Sequence, residues 1–150
     1  MVNKTFRKKR ISKKNRKTRR RRPSTKCDIN YTVKTFMEML NVIKLYHWKT
    51  HSFPEHTNTD HLHERMQKNV DEFVEVYLGK QGTRLKKRNK IMEARQYENT
   101  KDFKNRMYFY RNFVIELKQC FNKEKDSDLS NILDETLADL NQFLYLLTFK

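Results

Sequence analysis

Two glycines and two prolines are all that this chain of 150 residues contains. Strands joined by tight turns draw heavily on both, so an all-β or α/β fold is disfavoured and helices are expected. Cysteine is equally scarce. Cys27 and Cys120 stand alone, which indicates no disulfide framework and points to a reducing compartment, cytoplasm or nucleus. No apolar run reaches the roughly 18 residues of a membrane span, and the first 26 residues hold no apolar stretch of a signal peptide, so no membrane partner is expected.

Acids are missing from one region altogether. Residues 1–26 carry 14 of the 34 Lys and Arg and not one Asp or Glu. The remaining residues set 20 bases against all 18 acids, so the net charge of +16 resides almost wholly at the start. Such a block repels itself and has no apolar area to bury. A disordered arm over residues 1–27 and one domain over 28–150 are therefore expected. Arg7, Lys8, Lys9, Arg10, Lys13, Lys14, Arg16, Lys17, Arg19, Arg20, Arg21 and Arg22 are its candidate nucleic-acid contacts. Phe6 is the one aromatic nearby, so stacking on bases is not indicated. What remains is phosphate neutralisation, which is sequence-independent and steeply salt-sensitive. Arg19 to Arg22 also fit a nuclear-import signal. A solubilising tail, or one for RNA or an acidic protein, is the blander reading. Yet so many cations without an anion exceed what solubility requires.

What is present is helical periodicity. A first helix is expected from Asp28 to about Thr50, capped by Asp28 or Asn30, with Phe36, Leu40, Ile43 and His47 along one face. Ser52-Phe53-Pro54-Glu55 fits a capping box that opens a second helix. Its stripe is Leu62, Met66, Val70, Phe73 and Tyr77, and Gly79 and Gly82 mark its end. A third helix spans about Asn99 to Asn122, with Phe103, Met107, Tyr110, Val114, Leu117 and Phe121 inward. A fourth spans about Ser127 to Thr148, seamed by Leu129, Ile132, Leu133, Leu137, Leu140, Leu144 and Leu147. Short links join the helices within each pair, and a basic stretch over 83–98 joins the pairs. The expected fold is all-α, a ferritin-like four-helix bundle with one long crossover.

All five histidines fall between His47 and His63. The candidate metal ligands are His47, His56, Asp60, Asp71 and Glu75. At 100° per residue, His56, Asp60, Asp71 and Glu75 share an arc of about 100° on the second helix. Asp60 and Asp71 nevertheless lie roughly 16 Å apart along the axis, and ligands sit about 2 Å from a transition metal. One chain cannot bring both ends to one ion, but a two-fold axis can. The pairs 56/75, 60/71 and 64/67 share one midpoint, between Arg65 and Met66. Two such helices lying antiparallel would set His56 against the partner's Glu75, and Asp60 against the partner's Asp71. Glu64 and Gln67 would flank the axis. His47 could complete the site. Imidazole with carboxylate suits iron, and zinc is the alternative. Singly, acids and histidines on a helix face are a solvated surface; the matched spacing is what argues for a site. His51, His61 and His63 read as surface histidines.

At these residues the chain resembles the Dps family of miniferritins. Leu45-Tyr46-His47-Trp48 resembles the family's His-Trp element. His56 through Asp60 resembles its His-x-x-x-Asp, and Asp71 through Glu75, followed by Leu78-Gly79, its Asp-x-x-x-Glu. The stretch from Asp126 to Leu147 resembles its last helix. The resemblance implies that His47, His56 and Asp60 come from one subunit and Asp71 and Glu75 from its mate. It implies Fe(II) oxidation by hydrogen peroxide or oxygen, mineral storage in a hollow dodecamer, and DNA held by the basic arm. Trp48 would lie near the site and could pass electrons, though core packing is a tryptophan's more ordinary role. The loop between His47 and His56 is three residues shorter than the family's usual one and lacks its glycine, which bears on the dodecamer more than on the dimer. The low glycine, the arm and this loop also resemble ferritin-like proteins of large DNA viruses, which implies a virion as a further location. The expectation is thus a ferroxidase that also binds nucleic acid. Its rival is a non-enzymatic helical dimer that packages nucleic acid or serves as a structural, virion-type component, with no functional metal site.

Overall fold

The computed structural model describes residues 27–85 and 95–149. Residues 1–26 of the arm, including every candidate nucleic-acid contact, and residues 86–94 of the crossover lie outside the described residues, whereas Cys27 is described. Helices start where a side chain can take up amides that the first turn leaves unpaired. Asp28 accepts from the Asn30 amide, and α1 runs Ile29–Lys49. Ser52 accepts from the Glu55 amide at 3.4 Å, and α2 runs Phe53–Gln81 with Pro54 in its first turn. Asn99 accepts from the Asp102 amide, and α3 runs Thr100–Lys118. Asp126 precedes α4 (Ser127–Leu146) but turns its carboxylate to the Asn122 amide and to Lys80. Gly82 ends α2 at φ 58°, a left-handed turn that a Cβ would strain.

Contacts along the helices give their directions. α1 and α2 are antiparallel: Tyr46 bonds Glu55 near one end, and Phe36 meets Phe73 toward the other. α2 and α4 are antiparallel through Arg65–Asp139 and Lys80–Asp128. α3 and α4 are antiparallel through Phe103–Phe143 and Lys118–Asp134. α1 and α3 are antiparallel too, with Tyr46 stacked on Phe103 and Tyr31 edge-on to Phe113. α2 and α3 therefore point the same way. The chain between Gly82 and Asn99 must join opposite ends of the bundle. The result is a four-helix bundle, with no strand among the described residues.

The apolar seams supply the core. Phe36, Ile43, Leu62, Met66, Phe103, Met107, Tyr110, Leu133 and Leu140 are fully buried, each worth about 1.5–3 kcal/mol of removal from water. Tyr77, Phe121, Leu137 and Leu147 pack at its margin. Glu38 ties α1 to α3 by accepting from Arg106 and from the Tyr110 hydroxyl. No described helix is long and apolar enough to cross a membrane.

Three local expectations are corrected. First, Cys27 and Cys120 form a disulfide, with Cα atoms 5.6 Å apart. It binds the start of α1 to the turn that follows α3, and it removes the ground for expecting a reducing compartment. Second, the capping box is only half made. Glu55 does not reach back to Ser52; its carboxylate accepts from Tyr46, Thr50 and Thr100 at 2.8, 2.6 and 2.9 Å. One acid thus clamps the end of α1 and the starts of α2 and α3. Burial, above all, raises the Tyr46 pKa above its usual 10.0, so the hydroxyl remains a donor. Third, α3 stops at Lys118, a turn early, where Gln119 and Cys120 tighten to i→i+3 bonds beside the disulfide. Glu55→Ala leaves three hydroxyls without their charged acceptor and is expected to cost about 2–3 kcal/mol in chemical denaturation, with Glu55→Gln recovering part of it.

Candidate metal centre

The tight reversal over residues 50–52 lays the last turn of α1 against the first turns of α2. Two histidines meet there. The rings of His47 and His56 stack with centroids 3.8 Å apart and planes 24° from parallel. Their backbone bonds are reciprocal. Nδ1 of His47 donates to the carbonyl oxygen of His56 at 2.9 Å, and Nδ1 of His56 donates to that of His47 at 2.9 Å. A carbonyl only accepts, so each Nδ1 carries a proton. Each neutral ring then keeps its lone pair on Nε2. Metal-ligating histidines are commonly fixed in this way, by a carbonyl on the far nitrogen. Thr59, fully buried, donates to the Glu55 and His56 carbonyls and stands 3.4 Å from His47 Nδ1, which holds the turn in place. His47 itself is buried, while His56 is exposed.

Asp60 lies one turn beyond His56. Its Oδ1 is 3.7 Å from His47 Nε2. Two ligands about 2 Å from one ion subtend roughly 3–3.5 Å, so the two atoms are spaced to share an ion after a small adjustment. The same Oδ1 accepts from Lys44 Nζ at 2.9 Å, and that bond holds the Asp60 pKa below 3.8. Lys44 lies on α1, one turn before His47. Neither Lys44 nor Thr59 is marked by a motif; the i, i+3 spacing of Lys44 to His47 is the one sequence signal that points to it.

His63 is not the plain surface residue expected. It is partly buried, and desolvation first, then the Lys44 charge, lowers its pKa below the usual 6.5. A base with a depressed folded pKa favours the fold in its neutral form. Its contribution is full above pH 6.5 and is lost as pH falls from there through the folded value. Asp60, depressed likewise, gives up its contribution only on acidification through 3.8 and below. The melting temperature should therefore begin to fall below pH 6.5, and His63→Gln should flatten that first step without altering the second.

The remaining candidates do not join this cluster within one chain. Asp71 and Glu75 are exposed farther along α2, and Glu64 and Gln67, also exposed, lie between. Among the described residues of a single chain, no three His, Cys, Asp or Glu side chains form a group able to hold a metal ion. Trp48 is 68% exposed rather than packed in the core, with Lys44 Nζ 5.8 Å from its ring centroid. The donor types, imidazole nitrogen and carboxylate oxygen, suit a divalent metal, and within one chain His47 Nε2 and Asp60 Oδ1 are the pair that face each other.

A family model described as a family of unknown function, DUF5856, matches residues 47–147. The chain belongs to the DUF5856 family. No curated protein and no solved structure matches the chain. The DUF5856 span begins at His47 and takes in all five candidate ligands, Glu55, and α2 to α4. The arm, most of α1 and Cys27 precede it, so the disulfide joins a residue inside the DUF5856 span to one outside it.

Proposed function

We propose that this chain is the subunit of a ferritin-like, Dps-type protein that takes up Fe(II) as substrate and oxidises it with hydrogen peroxide or oxygen. The carrying observation is the crossed pair of histidine bonds, which commits both Nδ1 protons to carbonyls and leaves each Nε2 free to ligate, that of His47 facing Asp60 Oδ1 at 3.7 Å. The bundle's connectivity, with one link between opposite ends, supports the ferritin-like reading.

In this reading the functional unit is a homodimer through α2, and the dodecamer of the Dps resemblance is built from such dimers. His47, His56 and Asp60 hold the ion from one side. The partner's Asp71 and the partner's Glu75 close the other, with Glu64 and Gln67 at the axis. Carboxylates lower the cost of going from Fe(II) to Fe(III) by neutralising the added charge, and the histidine tautomers, being fixed beforehand, need no rearrangement. Zinc fits the same donors without redox chemistry.

The arm, Arg7 through Arg22, holds nucleic acid by phosphate neutralisation and keeps peroxide consumption near it. Two assays test the reading together. Fe(II) oxidation should fail in His56→Ala while DNA retention persists. Deleting residues 2–26 should do the reverse. An unchanged oxidation rate in His56→Ala would leave only the nucleic-acid packaging reading.

A further inference from the structure

Lys44 already holds the Asp60 oxygen that the metal-centre reading assigns to an ion. Its ammonium lies 2.9 Å from Asp60 Oδ1, the same oxygen that faces His47 Nε2 at 3.7 Å. A cation shared by His47 and Asp60 would come within a few ångströms of a resident positive charge. Both cannot hold that oxygen at full strength. While it holds Asp60, the lysine also has a second attractor within reach. Trp48 lies four residues on along the same face of α1, its exposed ring centroid 5.8 Å from Nζ, within the range at which an indole face attracts an ammonium.

We propose that Lys44 is an intramolecular competitor for metal. It holds the Asp60 carboxylate until a divalent ion displaces it toward the Trp48 indole, and it thereby weakens metal binding and sets the concentration at which the centre fills. This rests on the metal-centre reading above. Without an ion, Lys44 keeps the Asp60 carboxylate paired. With one, the ammonium is expelled, so the site gains about one positive charge rather than two.

The test uses Zn(II), which is redox-inert, titrated into the full-length protein by calorimetry, with Trp48 emission followed in parallel. Trp48 is the chain's one tryptophan, so the signal has a single source. Lys44→Met keeps the stem and removes the charge. It should bind Zn(II) on the order of tenfold more tightly than the parent, whereas Lys44→Arg should stay near parental affinity. The parent's Trp48 emission should shift on Zn(II) addition, and the Lys44→Met emission should not. If Lys44→Met binds with parental affinity while His56→Ala loses binding, the centre exists and the competition does not. If His56→Ala binds Zn(II) like the parent, the centre itself is wrong and the proposal goes with it.

Discussion

A variant with both Cys27 and Cys120 changed to serine should lose about 4–5 kcal/mol of unfolding free energy. The cross-link closes a loop of 93 positions, and the entropy removed from the unfolded chain grows with the logarithm of that length. It fastens the start of α1 to the end of α3, where Tyr31 and Phe36 also meet Phe113. Domains of this size are stable by only about 5–15 kcal/mol, so the loss is a large share of the whole. Denaturant unfolding of the variant, and of the parent in excess thiol, should give the same lowered midpoint. A difference from the oxidised parent of under about 1 kcal/mol would mean that the bond contributes little.

The second large effect concerns a residue that touches nothing in the histidine cluster of its own chain. Asp71→Ala should slow Fe(II) oxidation by about a hundredfold or more, although Asp71 lies some 16 Å along α2 from Asp60. Because Asp71 is exposed, its removal should change stability by no more than about 0.5 kcal/mol. Glu72, exposed beside it but a further 100° around the helix, is the control, and Glu72→Ala should oxidise iron at the parental rate. Appearance of Fe(III) absorbance under limiting peroxide measures both. Equal rates for all three proteins would exclude Asp71 from the chemistry.

The bundle was readable from sequence wherever the signal was local. Asp28, Ser52 and Asn99 cap helices because their own side chains reach amides two or three residues on. The stripes from Phe36 to His47 and from Leu62 to Phe73 are buried because a 3.6-residue repeat has only one way to face a core. Tertiary choices were not readable. The Cys27–Cys120 pairing depends on where α1 starts relative to the end of α3, and two cysteines far apart in the chain carry no mark of it. Glu55 stands at the capping-box position, yet three hydroxyls from other turns outbid the one backbone amide. In the candidate centre, helical spacing showed that His56 and Asp60 share a face. It could not show the crossed carbonyl bonds, which need α1 and α2 side by side, nor Lys44 on the Asp60 carboxylate.

The most direct measurement is to mix two inactive proteins. In a two-fold dimer, each centre takes His56 from one copy and Asp71 from the other. A dimer of one His56→Ala chain and one Asp71→Ala chain therefore has one centre lacking both residues and one lacking neither. After unfolding and refolding as an equal mixture, the pair should recover about a quarter of the parental Fe(II) oxidation rate, since half the dimers are mixed and each carries one intact centre. No recovery in a mixture shown by mass to contain the mixed dimer would contradict a centre shared between two copies of α2.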